Sequence, residues 1–211
     1  MASLAALCPF LSVKNKSNFF KTKAVVLRDA FEKYVKLSDA EWLDAQKRFT
    51  TLHFAKEDSI TREGAVEPYF YFILNGIHRL YYLTPAGDEV TLAFSFDDNF
   101  SGVYDSFVTQ KPSLYYLQSL TESEVLAISH ADMHYLFDAY KSFERWGRLF
   151  IQQILFGRGK REVELATQSA QQRYDTFISR MPVVLQTIPQ KYIASYLGMT
   201  PETFSRMRAK R

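Results

Sequence analysis

The sequence is poor in cysteine: Cys8 is the only one among its 211 residues. A lone thiol forms no intrachain disulfide and holds no cysteine-ligated cluster, so we expect a reducing compartment. Long hydrophobic runs are also absent, since no segment approaches the roughly 20 apolar residues of a membrane span. Residues 1–10 are mildly apolar but have no basic segment before them, which argues against a signal peptide. These absences predict a cytoplasmic protein without a membrane partner.

Signatures of catalysis and metal binding are lacking as well. The sequence contains no Gly-rich phosphate loop, nucleophile elbow or paired catalytic carboxylates. A metal-dependent enzyme on a cupin-like barrel would need His and carboxylate ligands clustered on strands. Of the four histidines, only His53 and His78 lie on predicted strands, while His130 and His134 have the spacing of a solvated helix face. We therefore expect no enzyme, no metal site and no cofactor.

Aromatic residues are plentiful, with 18 Phe and 13 Tyr, which favours β-structure around an aromatic core. Turn signals separate short strand-like runs at residues 50–54, 69–74, 78–83, 90–95 and 115–120. The pair Asn75-Gly76 lies between two of these runs and predicts a hairpin, because both residues tolerate positive φ. Strands that recur this regularly indicate a closed or rolled antiparallel sheet.

Helices are predicted on both sides of this sheet. Residues 24–34 have helical spacing, and a capping box that begins at Ser38 predicts a second helix through Trp42, Leu43 and Phe49. Helical periodicity returns from about Ala131, with a break before Leu165. Apolar residues three and four apart follow the pattern of a coiled-coil-like dimer seam at Phe143, Trp146, Phe150 and Ile154. A helix that packs on its own domain fits the same spacing equally well.

The C-terminal stretch 188–208 predicts two short helices joined by a tight turn. Pro189 suits the first turn of one helix, and Gly198 suits the left-handed position of the turn. Thr200 as N-cap and Pro201 at the first position then begin a second helix. Two helices joined in this way form a helix-turn-helix, although a plain helical hairpin with a basic tail has the same spacing. The tail, residues 201–211, carries four cations against the single acid Glu202.

Residues 190–206 resemble the helix-turn-helix of the cyclic-AMP receptor protein/fumarate-nitrate regulator (Crp/Fnr) family, whose Glu-Thr-x-x-Arg core matches Glu202, Thr203 and Arg206. Turn glycines upstream fit that family's cyclic-nucleotide-binding β-roll: Gly64, Gly76 and Gly87. The resemblance covers the chain from about Ala24 onward. It implies that Glu202 and Arg206 contact bases, and that Thr203, Ser205 and Arg208 contact phosphates. Because Pro201 replaces an arginine of many relatives and the chain stops before a β-hairpin wing, we expect a different sequence preference and a weaker grip on the DNA backbone.

The resemblance also aligns a phosphate-binding cassette, and here the chain departs from the family. Its aligned residues are Gly102, Val103, Pro112, Ser113 and Leu114. Val103 stands where the family has a glutamate for the ribose, and Ser113 stands where it has an arginine for the phosphate. We therefore expect no tight binding of cyclic AMP. Either a less anionic effector binds there, or aromatic side chains fill the pocket, the candidates being Tyr104, Phe107, Tyr115 and Tyr116.

These observations predict an α+β protein with an N-terminal antiparallel β-roll, a long dimerisation helix and a C-terminal helix-turn-helix that lacks a full wing. The predicted divisions are an extension at 1–23, a sensor domain at 24–140, a dimerisation helix at 141–168 and a DNA-binding domain at 169–211. The expected function is that of a DNA-binding transcription regulator. Its expected partners are double-stranded DNA, a second copy of the chain, an unidentified small-molecule effector and RNA polymerase. The alternative is a degenerate sensor that acts through protein partners without specific DNA binding.

Overall fold

The computed structural model describes residues 22–181 and 184–209. Cys8, most of the predicted extension at 1–23 and the last two basic residues, Lys210 and Arg211, lie outside the described residues. Within them, no helix is long and apolar enough to cross a membrane.

Two helices come first, α1 over Lys23–Glu32 and α2 over Asp39–Gln46. The capping box is present, since Ser38 accepts from the Glu41 backbone while the Glu41 side chain accepts from the Ser38 backbone. The prediction that α2 continues through Phe49 is wrong. Phe49 begins the first strand and pairs with Ile128, so cross-strand hydrogen bonding ends the helix one turn earlier than its apolar spacing suggests.

In the part of the chain that the structure describes, eight strands form two antiparallel four-stranded sheets that together make the β-roll. The bounds are β1 Phe49–Phe54, β2 Ser59–Thr61, β3 Tyr69–Asn75, β4 His78–Leu83, β5 Glu89–Ser95, β6 Phe100–Ser101, β7 Tyr116–Ser119 and β8 Ser123–Ser129. The first sheet has the order β1-β8-β3-β6, and the second has the order β2-β7-β4-β5. Every predicted strand run is a strand, whereas the short β2 and β6 and the buried β8 were not predicted.

The turn at Asn75-Gly76 is not a hairpin, which corrects the prediction made from that dipeptide. The strands on its two sides, β3 and β4, belong to different sheets and do not pair with each other. Gly76 has φ +124°, and a Cβ at this position would lie 2.3 Å from the Ser123 Cβ. Glycine is therefore needed because the chain crosses between sheets in close contact with β8, and not because it reverses within one sheet.

The remaining helices of the N-terminal part are α3 over Tyr104–Thr109, α4 over His130–Ala139 and α5 over Lys141–Thr167. Helix α5 runs for 27 residues without the predicted break before Leu165. Its residues Phe143, Trp146 and Phe150 are buried in this chain's own core, where Trp146 and Phe150 pack on Phe100 of the roll. Ile154 is partly buried against the same cluster. Phe143, Trp146 and Phe150 therefore face the roll, which corrects the prediction that they line a dimer seam, while Ile154 keeps part of its surface uncovered.

After α5 the described residues form four more helices, α6 over Ala170–Arg180, α7 over Val184–Thr187, α8 over Gln190–Tyr196 and α9 over Pro201–Ala209. They share a buried cluster that includes Tyr174, Phe177, Ile193 and Phe204. Two short helices joined by a tight turn, α8 and α9, form the predicted helix-turn-helix. Pro189 lies one position earlier than predicted, as the N-cap of α8.

Candidate functional site

The turn between α8 and α9 has a fixed geometry. Gly198 adopts φ +62°, and the amide of Met199 donates to the carbonyl of Ala194 at 3.1 Å. Arg173 of α6 donates to the carbonyls of Leu197 at 2.7 Å and Gly198 at 3.2 Å. The guanidinium thus satisfies carbonyl groups that the end of α8 leaves without helical partners. These bonds set the direction in which α9 leaves the turn.

Helix α9 begins as the sequence predicts and is anchored by one buried ring. Thr200 accepts from the amide of Thr203 at 3.2 Å, and Pro201 is the first helical residue. Phe204 is fully buried and meets Tyr174 edge-on, with ring centroids 5.4 Å apart. Because this ring points inward, the opposite side of the helix points into solvent.

The exposed side of α9 presents the residues that the resemblance singled out. Glu202, Ser205, Arg206 and Arg208 are exposed, and Thr203 is half-buried. Arg206 donates to the Thr203 hydroxyl at 3.2 Å, which holds the guanidinium over the first turn of the helix. Hydrogen bonds from its own backbone amide and from Thr200 lower the pKa of Glu202, so this carboxylate is ionised at neutral pH. The helix therefore offers an acceptor and a forked donor one turn apart.

The aligned cassette residues surround helix α3. Gly102 and Val103 come just before α3, and the Val103 side chain is completely buried. Ser113 is buried too, and its hydroxyl accepts from the amide of Tyr115 at 2.8 Å and donates to the Tyr115 carbonyl at 2.8 Å. Pro112 and Leu114 are exposed. The two positions that would hold ribose and phosphate in the resembled family thus carry no charge, and the Ser113 hydroxyl is occupied locally.

A buried carboxylate that the sequence analysis missed lies beneath this cassette. Glu67 has no exposed surface, and one carboxylate oxygen accepts from the Thr61 hydroxyl at 2.6 Å and the Val103 amide at 3.1 Å. Its other oxygen accepts from the Tyr71 hydroxyl at 3.0 Å. Burial raises the pKa of Glu67, while these hydrogen bonds oppose the rise. No sequence pattern marks Glu67, because its donors come from β2, β3 and the start of α3 and meet only when the roll closes.

Aromatic side chains near the cassette pack in two different buried clusters, one between the first sheet and the helices and one inside the roll. Phe107 is buried and stacks on Phe70 with centroids 5.6 Å apart, and the half-buried Tyr104 meets the same ring edge-on. Tyr115 packs against the cluster inside the roll that includes Val103. Tyr116 stacks on the neighbouring strand residue Tyr81 instead. Three of the four aromatic candidates therefore pack against buried clusters beside the cassette.

The four histidines do not come together in one site. His78 is buried between the hydroxyls of Ser101 at 3.0 Å and Ser123 at 3.2 Å, and burial lowers its pKa to about 3. His53 is exposed on β1. His130 and His134 are ring neighbours on α4, with centroids 4.2 Å apart. In the described part of the chain no three His, Cys, Asp or Glu side chains are arranged to hold a metal ion.

Comparison with known proteins agrees with this architecture. Residues 51–140 match the family model described as cyclic nucleotide-binding domain. The chain is 24% identical over 199 residues to the nitrogen fixation regulation protein FixK of Bradyrhizobium diazoefficiens, with 82% of this chain and 76% of FixK covered. The structure is similar to FixK2 from Bradyrhizobium japonicum, with TM-score 0.66, 17% identity and coverage of 77% of this chain and 83% of FixK2. It is also similar to a putative regulator of the Crp/Fnr family from Eubacterium rectale, with TM-score 0.62, 15% identity and coverage of 82% and 83%.

The resemblance to the Crp/Fnr regulators is confirmed. The predicted fold class is confirmed with it, since the chain has the antiparallel roll, the long helix and the C-terminal helix-turn-helix of the Crp/Fnr fold.

Proposed function

We propose that this protein is a DNA-binding transcription regulator of the Crp/Fnr type in which α9 enters the major groove. The observation that carries the proposal is the exposed side of α9, where Glu202 and Arg206 project from a helix anchored by the buried Phe204. Arginine binds guanine O6 and N7 in a bidentate way, and a carboxylate accepts from cytosine N4. These two side chains therefore supply the base contacts.

The other exposed polar groups of α9 position the helix without specifying sequence. Ser205 and Arg208 extend the same face, and the Thr203 hydroxyl already orients Arg206. Contacts of this kind go to phosphate oxygens and make affinity depend on salt. Pro201 holds the position where many relatives have an arginine, so one base contact is replaced by a helix-starting residue.

The exposed side of α5 favours a second copy of the chain as a binding partner. Leu155, Phe156 and Val163 are 65%, 60% and 60% exposed, and they fall within an arc of about 100° on the helix. An apolar stripe of this kind on a long helix favours burial against an equivalent helix. A two-fold dimer would place two DNA-binding heads, each formed by helices α6 to α9, on half-sites about one helical turn apart, on the order of 34 Å. Transcription by RNA polymerase is then the process that the dimer regulates, in the cytoplasm.

The sensor pocket is proposed not to bind cyclic AMP tightly. A cyclic nucleotide brings a phosphate anion, and the cassette offers it neither an arginine nor a glutamate for the ribose. Removing a charge-assisted pair from a desolvated site costs on the order of 2 to 5 kcal/mol, which corresponds to a loss of about 30- to 5,000-fold in affinity. Any effector of this cassette is therefore proposed to be less anionic than a cyclic nucleotide.

Two experiments test these proposals separately. Fluorescence anisotropy with a mixed-sequence duplex at increasing salt tests DNA binding, with Arg62→Ala as a control that removes one exposed arginine of the sensor. We expect the logarithm of affinity to fall linearly with the logarithm of salt concentration. Arg208→Ala removes one cation from each protomer of the proposed dimer and should reduce the slope by about two, whereas Arg62→Ala should leave it unchanged. Absence of binding at low salt would favour the sensor that acts through protein partners. Calorimetry with cyclic AMP tests the pocket, and a micromolar or tighter Kd would contradict the proposal.

A further inference from the structure

The sensor and the DNA-binding head share one hydrophobic core. Phe94 and Phe96, at the end of β5, and Leu120 are buried together with Phe177 and Ile193 of the head. Phe94 contacts Tyr196 of α8 with ring centroids 5.4 Å apart. The head is therefore packed on the second sheet of the roll, in addition to being joined to it through α5.

A hydroxyl of the head makes two hydrogen bonds with the outer edge of that sheet, at strand β5. Strand β5 is the last in the order β2-β7-β4-β5, so its outer backbone groups have no neighbouring strand. The Ser195 hydroxyl of α8 accepts from the Thr91 amide at 2.9 Å and donates to the Glu89 carbonyl at 2.9 Å. One side chain of the head thus pairs with two of the backbone groups that the edge strand β5 leaves without a neighbouring strand.

A buried arginine of the sensor lies beneath the same helix. Arg79 of β4 has no exposed surface, and its guanidinium carbon lies 3.6 Å from the ring centroid of Tyr192 in α8 and 4.3 Å from that of Tyr81. Its nitrogens donate to the Thr91 hydroxyl at 2.9 Å and the Glu89 carboxylate at 2.7 Å. A cation–π contact stabilises a guanidinium that is shielded from water in this way, and the ring that provides it, Tyr192, is part of the head.

The docked arrangement leaves the DNA-contacting side of the head uncovered. The contacts described above are made by α8 and by Phe177 of α6, while Glu202, Ser205 and Arg206 of α9 remain exposed. Docking on β5 therefore fixes the orientation of α9 without covering it.

We propose that the surface formed by Arg79, Glu89 and Thr91 of the sensor with Tyr192 and Ser195 of the head, the β5–α8 contact, positions the recognition helix for specific DNA binding. This inference rests on the proposed DNA-binding function. The residues are positioning residues, because none of them lies on the DNA-contacting side of α9. Through this contact the β4–β5 hairpin touches the head directly, so a change in the position of the hairpin can alter the position of the head without a change in α5.

The test uses the full-length dimer and a duplex recovered by selection from random DNA. Tyr192→Ala/Ser195→Ala removes the ring over Arg79 and the hydroxyl that pairs with the Thr91 amide and the Glu89 carbonyl. Because apparent affinity falls with the fraction of heads that are correctly placed, we expect specific affinity to drop about five- to fiftyfold. Affinity for an unrelated duplex at low salt should stay within twofold, since the basic side chains are untouched. Tyr192→Phe keeps the ring and should behave as wild type, as should Ser179→Ala, which removes an exposed hydroxyl elsewhere on the head.

Hydrogen exchange of the Thr91 amide provides a readout that needs no DNA. Docking predicts protection in the wild type and at least tenfold faster exchange in the double variant. Fast exchange in the wild type would overturn the β5–α8 contact while leaving DNA binding intact. Specific affinity that is unchanged or tighter in the double variant would overturn the positioning role. Failure of the wild type to select any sequence would instead refute the proposed function, together with the inference that depends on it.

Discussion

Because the Glu67 carboxylate is buried in the sensor, we predict how the stability of the protein changes when its hydrogen bonds or its charge are removed. Glu67→Ala removes the acceptor of the Val103 amide and of the Thr61 and Tyr71 hydroxyls. Each buried donor left without a partner costs about 1 to 3 kcal/mol, and the two hydroxyls can rotate toward other acceptors. The amide cannot move in this way, so we expect the free energy of unfolding at pH 7 to fall by about 3 kcal/mol.

Glu67→Gln is the matched variant, because it keeps the shape and one acceptor oxygen but removes the charge. Burial raises the pKa of Glu67 in the folded protein, so the folded state binds a proton more tightly than the unfolded state does. The wild type therefore loses stability as pH rises from the unfolded value, about 4.5, through the raised pKa. We expect Glu67→Gln to lack this loss and to lie within about 1 kcal/mol of the wild type at pH 7. Urea unfolding between pH 5 and pH 8 measures both effects, and a glutamine variant as unstable as the alanine variant would show that the carboxylate needs its charge.

Three further substitutions and one matched control test the fold around the two sites. Phe204→Ala empties the anchor of α9 and should cost about 3 to 5 kcal/mol by thermal unfolding, with loss of specific DNA binding; a change below 1 kcal/mol would contradict its burial. Because the pKa of His78 is lowered to about 3, the wild type should lose about 1.4 kcal/mol for each pH unit below 6.5, and His78→Asn should flatten this dependence in the same urea titration; an equal acid loss in the variant would assign it to other groups. Gly76→Ala forces a Cβ against Ser123 at positive φ and should destabilise the roll by more than about 2 kcal/mol, whereas Gly87→Ala, at positive φ but in open space, should cost about 1 kcal/mol.

Local signals predicted the elements whose ends are set by neighbouring residues. The capping box at Ser38 and the N-cap at Thr200 depend on contacts three residues away, and both are present in the structure. Gly198 adopts the left-handed backbone conformation that was predicted from its place in the turn. Because these contacts lie within one helical turn, the sequence was enough to place α9 and its exposed side.

Predictions failed where the outcome depends on a distant partner. The apolar spacing of Phe143, Trp146 and Phe150 correctly indicates one buried face of α5, but it does not say whether the roll or a second chain covers that face. The turn at Gly76 depends on Ser123 of β8, and the environment of Glu67 depends on donors up to 36 residues away. Such contacts form only when the roll closes, so periodicity and turn chemistry carry no signal for them.

The most direct test of sequence-specific binding is selection from random duplex DNA by the purified full-length protein, run in parallel with Arg206→Ala and Arg62→Ala. Both substitutions remove one arginine, but only Arg206 lies on the exposed side of α9. We predict a two-fold symmetric motif for the wild type and Arg62→Ala, with half-sites about 10 base pairs apart, and loss of preference at one position of each half-site for Arg206→Ala. Recovery of unrelated sequences by all three proteins would contradict base recognition by α9 and would reduce the head to a salt-dependent, non-specific DNA contact.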